Sequence, residues 1–530
     1  MSFGLALGMT VLRSIVIAIL AVAIGSRVNA RISETAGRHR RVLWGLLLAP
    51  WFMPGLVIGY AWNGWPLYLS AAGIWEWFSV GGKFVVGGLR RFDGLWNEWM
   101  LGCLLLARTL PWAVIVLRWG GRSPESRSAW FLRTTLRSSR LTGWAHRWRC
   151  VRDRVAWDLP RLAPPLALSY LACFQEFELV ARLGRPSWTV WLIDAQATGV
   201  ELAGLLQRAG IAAVVQTVCV WGPFWISRRG FGTPCTDIMP RLSGFSRLLV
   251  TFILVTGFLF TVVIPGLLLL PGAGQGLLAL SGRTSVWLGL LRGVAVGTLV
   301  AGGAACLSMF VAGWLGRSLW GETRASIHGK FSAGARRPAG VGAGGVFSLV
   351  LVWLGACGAV PLGLITVWGL VQVGWGDLLQ TIVPWLLIQA VWLVPRAICL
   401  LSLVEIGRPR NAAHLATLLQ RASDNARSRG GFELWWRLRW RNRAWAGVFL
   451  AMTAYLDLAT GQLLSPPGLE SAPVTLYTQM HYGRNSLLTA MTLLAVAIPW
   501  TISLLVLLAL PRMLVRLRRV RLPGASGLSR

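Results

Sequence analysis

The sequence predicts an all-α polytopic membrane protein of about eleven transmembrane helices in two parallel homologous halves, and three observations predict it. Hydrophobic residues fill 55% of the 530 positions and charged residues 13%, with a mean hydropathy of +0.59, far from the balance of a soluble domain. Apolar runs recur at the length of roughly 20 residues that a helix needs to cross hydrocarbon. Arginine is concentrated in alternate connections between those runs, as positive-inside topology requires.

The formal charge of +33 would indicate nucleic acid in a soluble protein. Here the arginines lie between apolar runs, so topology accounts for them and no nucleic-acid partner is expected. The first run, 7–25, is read as a retained helix. Val28-Asn29-Ala30 loosely matches a cleavage site, but no positive charge precedes the run and Arg13 interrupts it. Further runs lie near 43–62, 99–119, 163–181, 207–226, 248–270, 286–314, 346–373, 379–404, 444–464 and 486–510. The connection 26–42 carries Arg27, Arg31, Arg38, Arg40 and Arg41 against Glu34, and 120–162 carries ten arginines against Glu125, Asp153 and Asp158. Placing both in the cytoplasm puts the basic segments 227–247, 317–345, 405–443 and the tail from Pro511 on the same side. The opposite connections 63–98 and 465–485 are nearly balanced. The expected orientation is therefore an outside N-terminus and a cytoplasmic C-terminus.

Internal similarity divides the chain at 1–247 and 248–530. Leu12-Arg13-Ser14 recurs as Leu291-Arg292-Gly293, WAHRWRCVRDRVAW (144–157) answers LWWRLRWRNRAWA (434–446), and FQEFELVARLGRPSWTVWL (174–192) answers AYLDLATGQLLSPPGLESAPVTLY (454–477). In each of the last pair an acidic residue near the outer end of a helix is followed by a proline-containing hairpin and a Thr-Val or Val-Thr pair. Five spans thus match between the halves and a sixth joins them. Parallel repeats point to a pseudo-two-fold axis along the membrane normal, with a pathway where the halves meet.

Chemistry-bearing motifs are few. The eight cysteines are scattered without CxxC spacing and the five histidines form no HExxH, so neither a metal site nor a redox pair is expected. The only lysines, Lys83 and Lys330, lie outside any GxxxxGK[ST] pattern, so the chain is not expected to bind ATP itself. Intramembrane charge is the remaining functional signal. Glu176, Glu178 and Asp457 either line a polar entrance between the halves or sit at the interface satisfied by water, Arg182 or Arg185. Arg13 and Arg292 are expected to snorkel to headgroups. The stretch ELWWRLRWRNRAW (433–445) holds four arginines and four tryptophans. As a helix it places Trp436 and Trp440 on one face with Arg437 and Arg439 around it, which suits an anchor at the membrane surface. The less basic stretches before it and its counterpart, 408–432 and 125–143, are read as docking elements.

DLPRLAPPLALSYLACFQEFELVARLGRPSWTVWLIDAQATG (158–199) resembles the characteristic stretch of binding-protein-dependent ABC transporter permeases, in particular fused double permeases of the ferric-iron type. NAAHLATLLQRAS (411–423) through SPPGLESAPVTLYTQMHYG (465–483) resembles the same region. The resemblance implies the ABC importer permease fold, in the inner membrane. The partners it implies are separate cytoplasmic ATPase subunits that use ATP, with no cofactor bound by this chain, and a periplasmic solute-binding protein that delivers a small solute, ferric iron as the best guess. It also implies no enzymatic activity of the chain's own. On that resemblance Leu159, Pro160 and Gly143 in the first loop and Asn411, Ala412 and Ala413 in the second would couple to the ATPase. The first loop lacks the family's Glu-Ala-Ala motif, and the second lacks its glutamate and its Leu-Pro. The alternative from residues alone is a proton-coupled secondary transporter working through Glu176, Glu178 and Asp457.

Overall fold

The computed structural model describes residues 2–62, 84–119, 162–227, 243–328, 343–406, 440–480 and 486–520, with single positions inside 415–434. Among the described residues every regular element is helical. In chain order these are α1 (Phe3–Glu34), α2 (Gly37–Phe52), α3 (Gly55–Trp62), α4 (Phe84–Trp119), α5 (162–174), α6 (Glu178–Arg182), α7 (Trp188–Ala197) and α8 (Leu202–Ser227). They continue as α9 (Gly244–Phe258), a π-turn at Leu259–Val263, α10 (Ile264–Ser281), α11 (Thr284–His328), α12 (Ala343–Cys357) and α13 (Ala359–Gln372). The last are α14 (Ile382–Ile406), α15 (Arg441–Tyr455), α16 (Leu458–Leu464), α17 (Ala472–Met480) and α18 (Ser486–Val520).

Seven of these helical stretches are long and apolar enough to cross a bilayer, and three more qualify when each bent pair of helices is taken as one span. Large apolar side chains project from them into the surroundings, among them Leu12, Ile19, Phe252, Leu278, Leu299 and Phe310, each more than half exposed. Faces of that kind belong against lipid. The chain is a multi-pass helical membrane protein.

Against the about eleven spans expected from sequence, seven to ten qualify among the described residues, and three of them are bent. Residues 43–62 fall in α2 and α3, which meet at 80°; 346–373 fall in α12 and α13, which meet at 110°; 444–464 fall in α15 and α16, which meet at 55°. The run 163–181 is not among the qualifying spans: α5 stops at 174 and only the five residues of α6 follow. Each break has a local cause. Met53, directly before Pro54, is extended at φ −79°, ψ 124°, because the proline ring disfavours the helical region for its predecessor. Gly358 has φ 102°, a conformation open to glycine at little cost. Asp457 caps α16 by accepting from Thr460 N at 3.1 Å, so the chain restarts a helix there and does not extend α15.

The chain forms two compact units. The first comprises Met1–Pro271 with Trp353–Val373; in it α1 packs along α4, α9 lies on α1 and α2, and α8 contacts α13. The second comprises Gly272–Val352 with Gly374–Arg530, where α11 packs against α14 and α15, and α17 joins α11 to α18. Residues 353–373 therefore fold with the first unit although they lie far along the chain. The order of elements recurs: a long helix, a bent pair, a long helix, a helix broken at an acidic residue, a short helix and a final long helix occur in α1–α8 and again in α11–α18.

Glycine sets the closest approaches in the second unit. A Cβ on Gly276 would collide with the Ser486 carbonyl oxygen, and one on Gly297 would lie 3.0 Å from the Tyr455 ring. Where lipid removes the hydrophobic drive between helices, small residues allow the backbone contact that holds them. Gly276→Leu is therefore expected to lower the thermal midpoint of the detergent-solubilised protein by several degrees, whereas Gly274→Leu, whose Cβ would meet nothing within 4 Å, leaves it nearly unchanged; equal effects of the two would rule out this contact.

Candidate functional site

In the first unit the break between α5 and α6 gathers the charged residues. Each interrupted helix end leaves carbonyls or amides without intrahelical partners, and in an apolar interior each such group costs several kcal/mol if unsatisfied. At the end of α5 the carbonyl of Phe174 accepts from Trp188 Nε1 at 2.8 Å, and that of Glu176 accepts from Thr189 Oγ1 at 3.4 Å. Trp188 is fully buried and stacks on Phe174 with ring centroids 5.2 Å apart. Ser187 caps α7, accepting from Thr189 N at 3.3 Å.

The two glutamates perform different tasks. Glu178, buried, accepts from Leu56 N at 2.9 Å and so satisfies the amide end of α3 across the fold. Glu176 pairs with Arg108 of α4 at 2.9 Å and accepts from Leu179 N at 3.3 Å. Gly55 is packed among these groups: a Cβ there would lie 2.6 Å from Arg108 Nη1, 2.7 Å from Glu178 Oε2 and 2.9 Å from Glu176 Oε1. Beside them Gln175 Nε2 donates to Gln216 Oε1 at 2.9 Å and to the Ala356 carbonyl at 3.1 Å, which ties α8 and the α12–α13 bend to the same break. Three helix breaks of the first unit, at Met53–Pro54, Gln175–Phe177 and Gly358, thus share one polar cluster.

A second charged group lies on α1 and α4. Glu98 accepts from Arg13 Nε at 2.7 Å and from Arg185 Nε at 2.9 Å, and Arg13 also donates to the Pro186 carbonyl at 3.4 Å. Arg13 was expected to snorkel; its side chain is only 8% exposed because a carboxylate 85 positions away meets it inside the fold. Arg292, the residue matched to it in the sequence, is exposed.

The second unit holds a smaller version at the break between α15 and α16. Asp457 accepts from both the amide and the hydroxyl of Thr460. Gln389 Nε2 donates to the Ala454 carbonyl at 2.7 Å. Arg396 is buried, donates to the Trp392 carbonyl at 3.0 Å, lies 4.2 Å from the centroid of the Trp392 ring, and is near enough to Asp457 to attract it.

Of the residues singled out in the sequence, Glu176 and Glu178 are brought together, and Asp457 occupies the comparable break in the other unit. Leu159, Pro160, Gly143, Asn411, Ala412, Ala413, Trp436, Arg437 and Arg439 lie outside the described residues. Trp440 is described and is 42% exposed, immediately before α15. Arg108 and Arg396, which the sequence expectations did not include, complete the two charged groups. Each interrupts an apolar run, LLLARTLPWAV and WLVPRAICLL, a signal equal in weight to that of an acid. Glu98 gave no such signal, since it sits in a connection whose charges nearly balance. Among the described residues no group of three His, Cys, Asp or Glu side chains is arranged to hold a metal ion.

What the cluster does chemically is to cap broken helices with fixed charge. Arg108→Ala is expected to destabilise the solubilised protein by stranding the Glu176 carboxylate, and Glu176→Gln added to it should recover part of the loss, with a coupling on the order of 1–3 kcal/mol in a double-mutant cycle. Strictly additive effects would show that the pair is not formed. A scan against protein-family models, a search of curated proteins and a search of solved structures each find no match for this chain.

Proposed function

We propose that the chain is the transmembrane permease subunit of an ABC importer, built from two homologous halves, which moves a small solute across the inner membrane by alternating access while a separate ATPase supplies the energy. The observation that carries this reading is the recurrence of one element order in α1–α8 and α11–α18, each with a long arginine-rich connection, 120–161 and 407–439, placed directly before the broken helix. Duplicated bundles with helices interrupted inside the membrane are a common construction of transporters. Paired basic loops at matching positions give a two-subunit ATPase two points of attachment.

The orientation that goes with it places both loops in the cytoplasm, by the positive-inside rule, with the N-terminus outside. Leu159, Pro160 and Gly143, with Asn411, Ala412 and Ala413, are the coupling residues on this reading, and the Arg-Trp segment ending near Trp440 is the surface anchor. A periplasmic binding protein delivers the cargo, for which ferric iron remains the best guess from the sequence resemblance. The proton-coupled alternative is weakened by the engagement of its carboxylates: Glu176 is ion-paired with Arg108, Glu178 holds a backbone amide and Asp457 caps a helix.

Solubilised protein is expected to bring down a nucleotide-binding subunit, and uptake should stop on ATP depletion yet survive collapse of the proton gradient. Deletion of 411–423 should abolish uptake while leaving membrane insertion intact. Uptake that follows the proton gradient and ignores ATP would replace this assignment with the secondary transporter.

A further inference from the structure

At one end of the first unit, four helix ends lie together. Arg118, at the end of α4, donates to Asn29 Oδ1 at 3.4 Å and to Ser33 Oγ at 3.2 Å near the end of α1. Arg247, in the first turn of α9, lies 3.3 Å from Glu34 at the end of α1, and α9 packs along α2. The last turn of α1, the first turns of α2 and α9 and the last turn of α4 therefore share one level of the bundle.

The charge at this level is one-sided. Glu34 is the only acidic residue in 26–42, and Arg247 already faces it. Arg27, Arg38, Arg40 and Arg41 are all exposed, the last three within the first five residues of α2. That is the unfavourable end of a helix for a cation, since the amide dipoles there already present positive charge. Ala36 at the N-cap has no side-chain hydrogen bond to the first-turn amides. Exposed apolar side chains stand at the same level: Val42 follows the basic residues of α2 at 52% exposure, and Phe245 and Leu248 lie at the start of α9, which packs along α2, at 74% and 71%. An anion at this corner would offset the arginine repulsion and meet the α2 amides, and the bordering apolar side chains would meet a hydrocarbon tail.

We propose that this corner binds the headgroup of an anionic phospholipid, with Arg38, Arg40 and Arg41 on the phosphate and Val42, Phe245 and Leu248 beside the acyl chains. The site fixes the end of the first unit at the level of the headgroups and makes its stability depend on lipid charge. It stands on the membrane character of the chain alone and is independent of what the protein transports. Guanidinium groups suit the role because they are weakly hydrated and bond phosphate through two donors.

The experiment is a thermal melt of the detergent-solubilised full chain with added phosphatidylglycerol, with added phosphatidylcholine, and with inorganic phosphate. Phosphatidylglycerol is expected to raise the midpoint by several degrees more than phosphatidylcholine, and the increment should vanish in Arg38→Gln/Arg40→Gln/Arg41→Gln. It should persist in Arg283→Gln, which removes an exposed arginine of the second unit. The substituted side chains are exposed, so the triple variant is expected to fold, and its midpoint in phosphatidylcholine checks that. Equal midpoints in the two lipids, an increment retained by the triple variant, or an equal rise with inorganic phosphate would each overturn the proposal.

Discussion

A helix that stops inside an apolar medium exposes backbone groups that have no water to bond, and the construction of this protein follows from how those groups are satisfied. Hydrocarbon tolerates interrupted helices only where protein supplies the missing partners. Here they come from a distance: Glu178 serves the amide of Leu56, Trp188 serves the carbonyl of Phe174, and Gln175 serves the carbonyl of Ala356. Each bond ties one break to another element, so the breaks and the packing of the unit cannot be changed separately.

Charge inside the apolar region obeys the same constraint. A lone guanidinium or carboxylate at such a depth costs about 2.5–3.5 kcal/mol or more, and among the described residues several such charges are paired or stacked. Arg108 meets Glu176, Arg13 and Arg185 share Glu98, and Arg396 lies over Trp392. The acidic residues act as clamps on helix ends. Any rearrangement of the bundle would concentrate at these breaks, since they hold fewer internal backbone bonds than the long helices and connect several of them.

The positions of the apolar helices were legible in the sequence because span length and hydropathy are local properties. The bends were not. A hydropathy run has no direction, so 346–373 reads as one span whether its two parts are collinear or meet at 110°. Pro54 and Gly358 lie at two of the bends, but the angle at each depends on what the second arm packs against, as α13 does on α8. The acidic half of the polar cluster was visible in the sequence, whereas its pairing with Arg108 required α4 to be placed beside the break.

Composition and arginine distribution by themselves determined that the chain is helical and lives in a membrane, because the bilayer leaves few ways to satisfy a backbone. Only the tertiary structure decided that residues 353–373 fold with the first unit, that Arg13 turns inward to Glu98 and that Glu178 caps a helix 122 positions earlier. Those are pairings between segments remote along the chain, chosen by where each segment finds a partner for a group it cannot leave bare, and no local pattern carries that information.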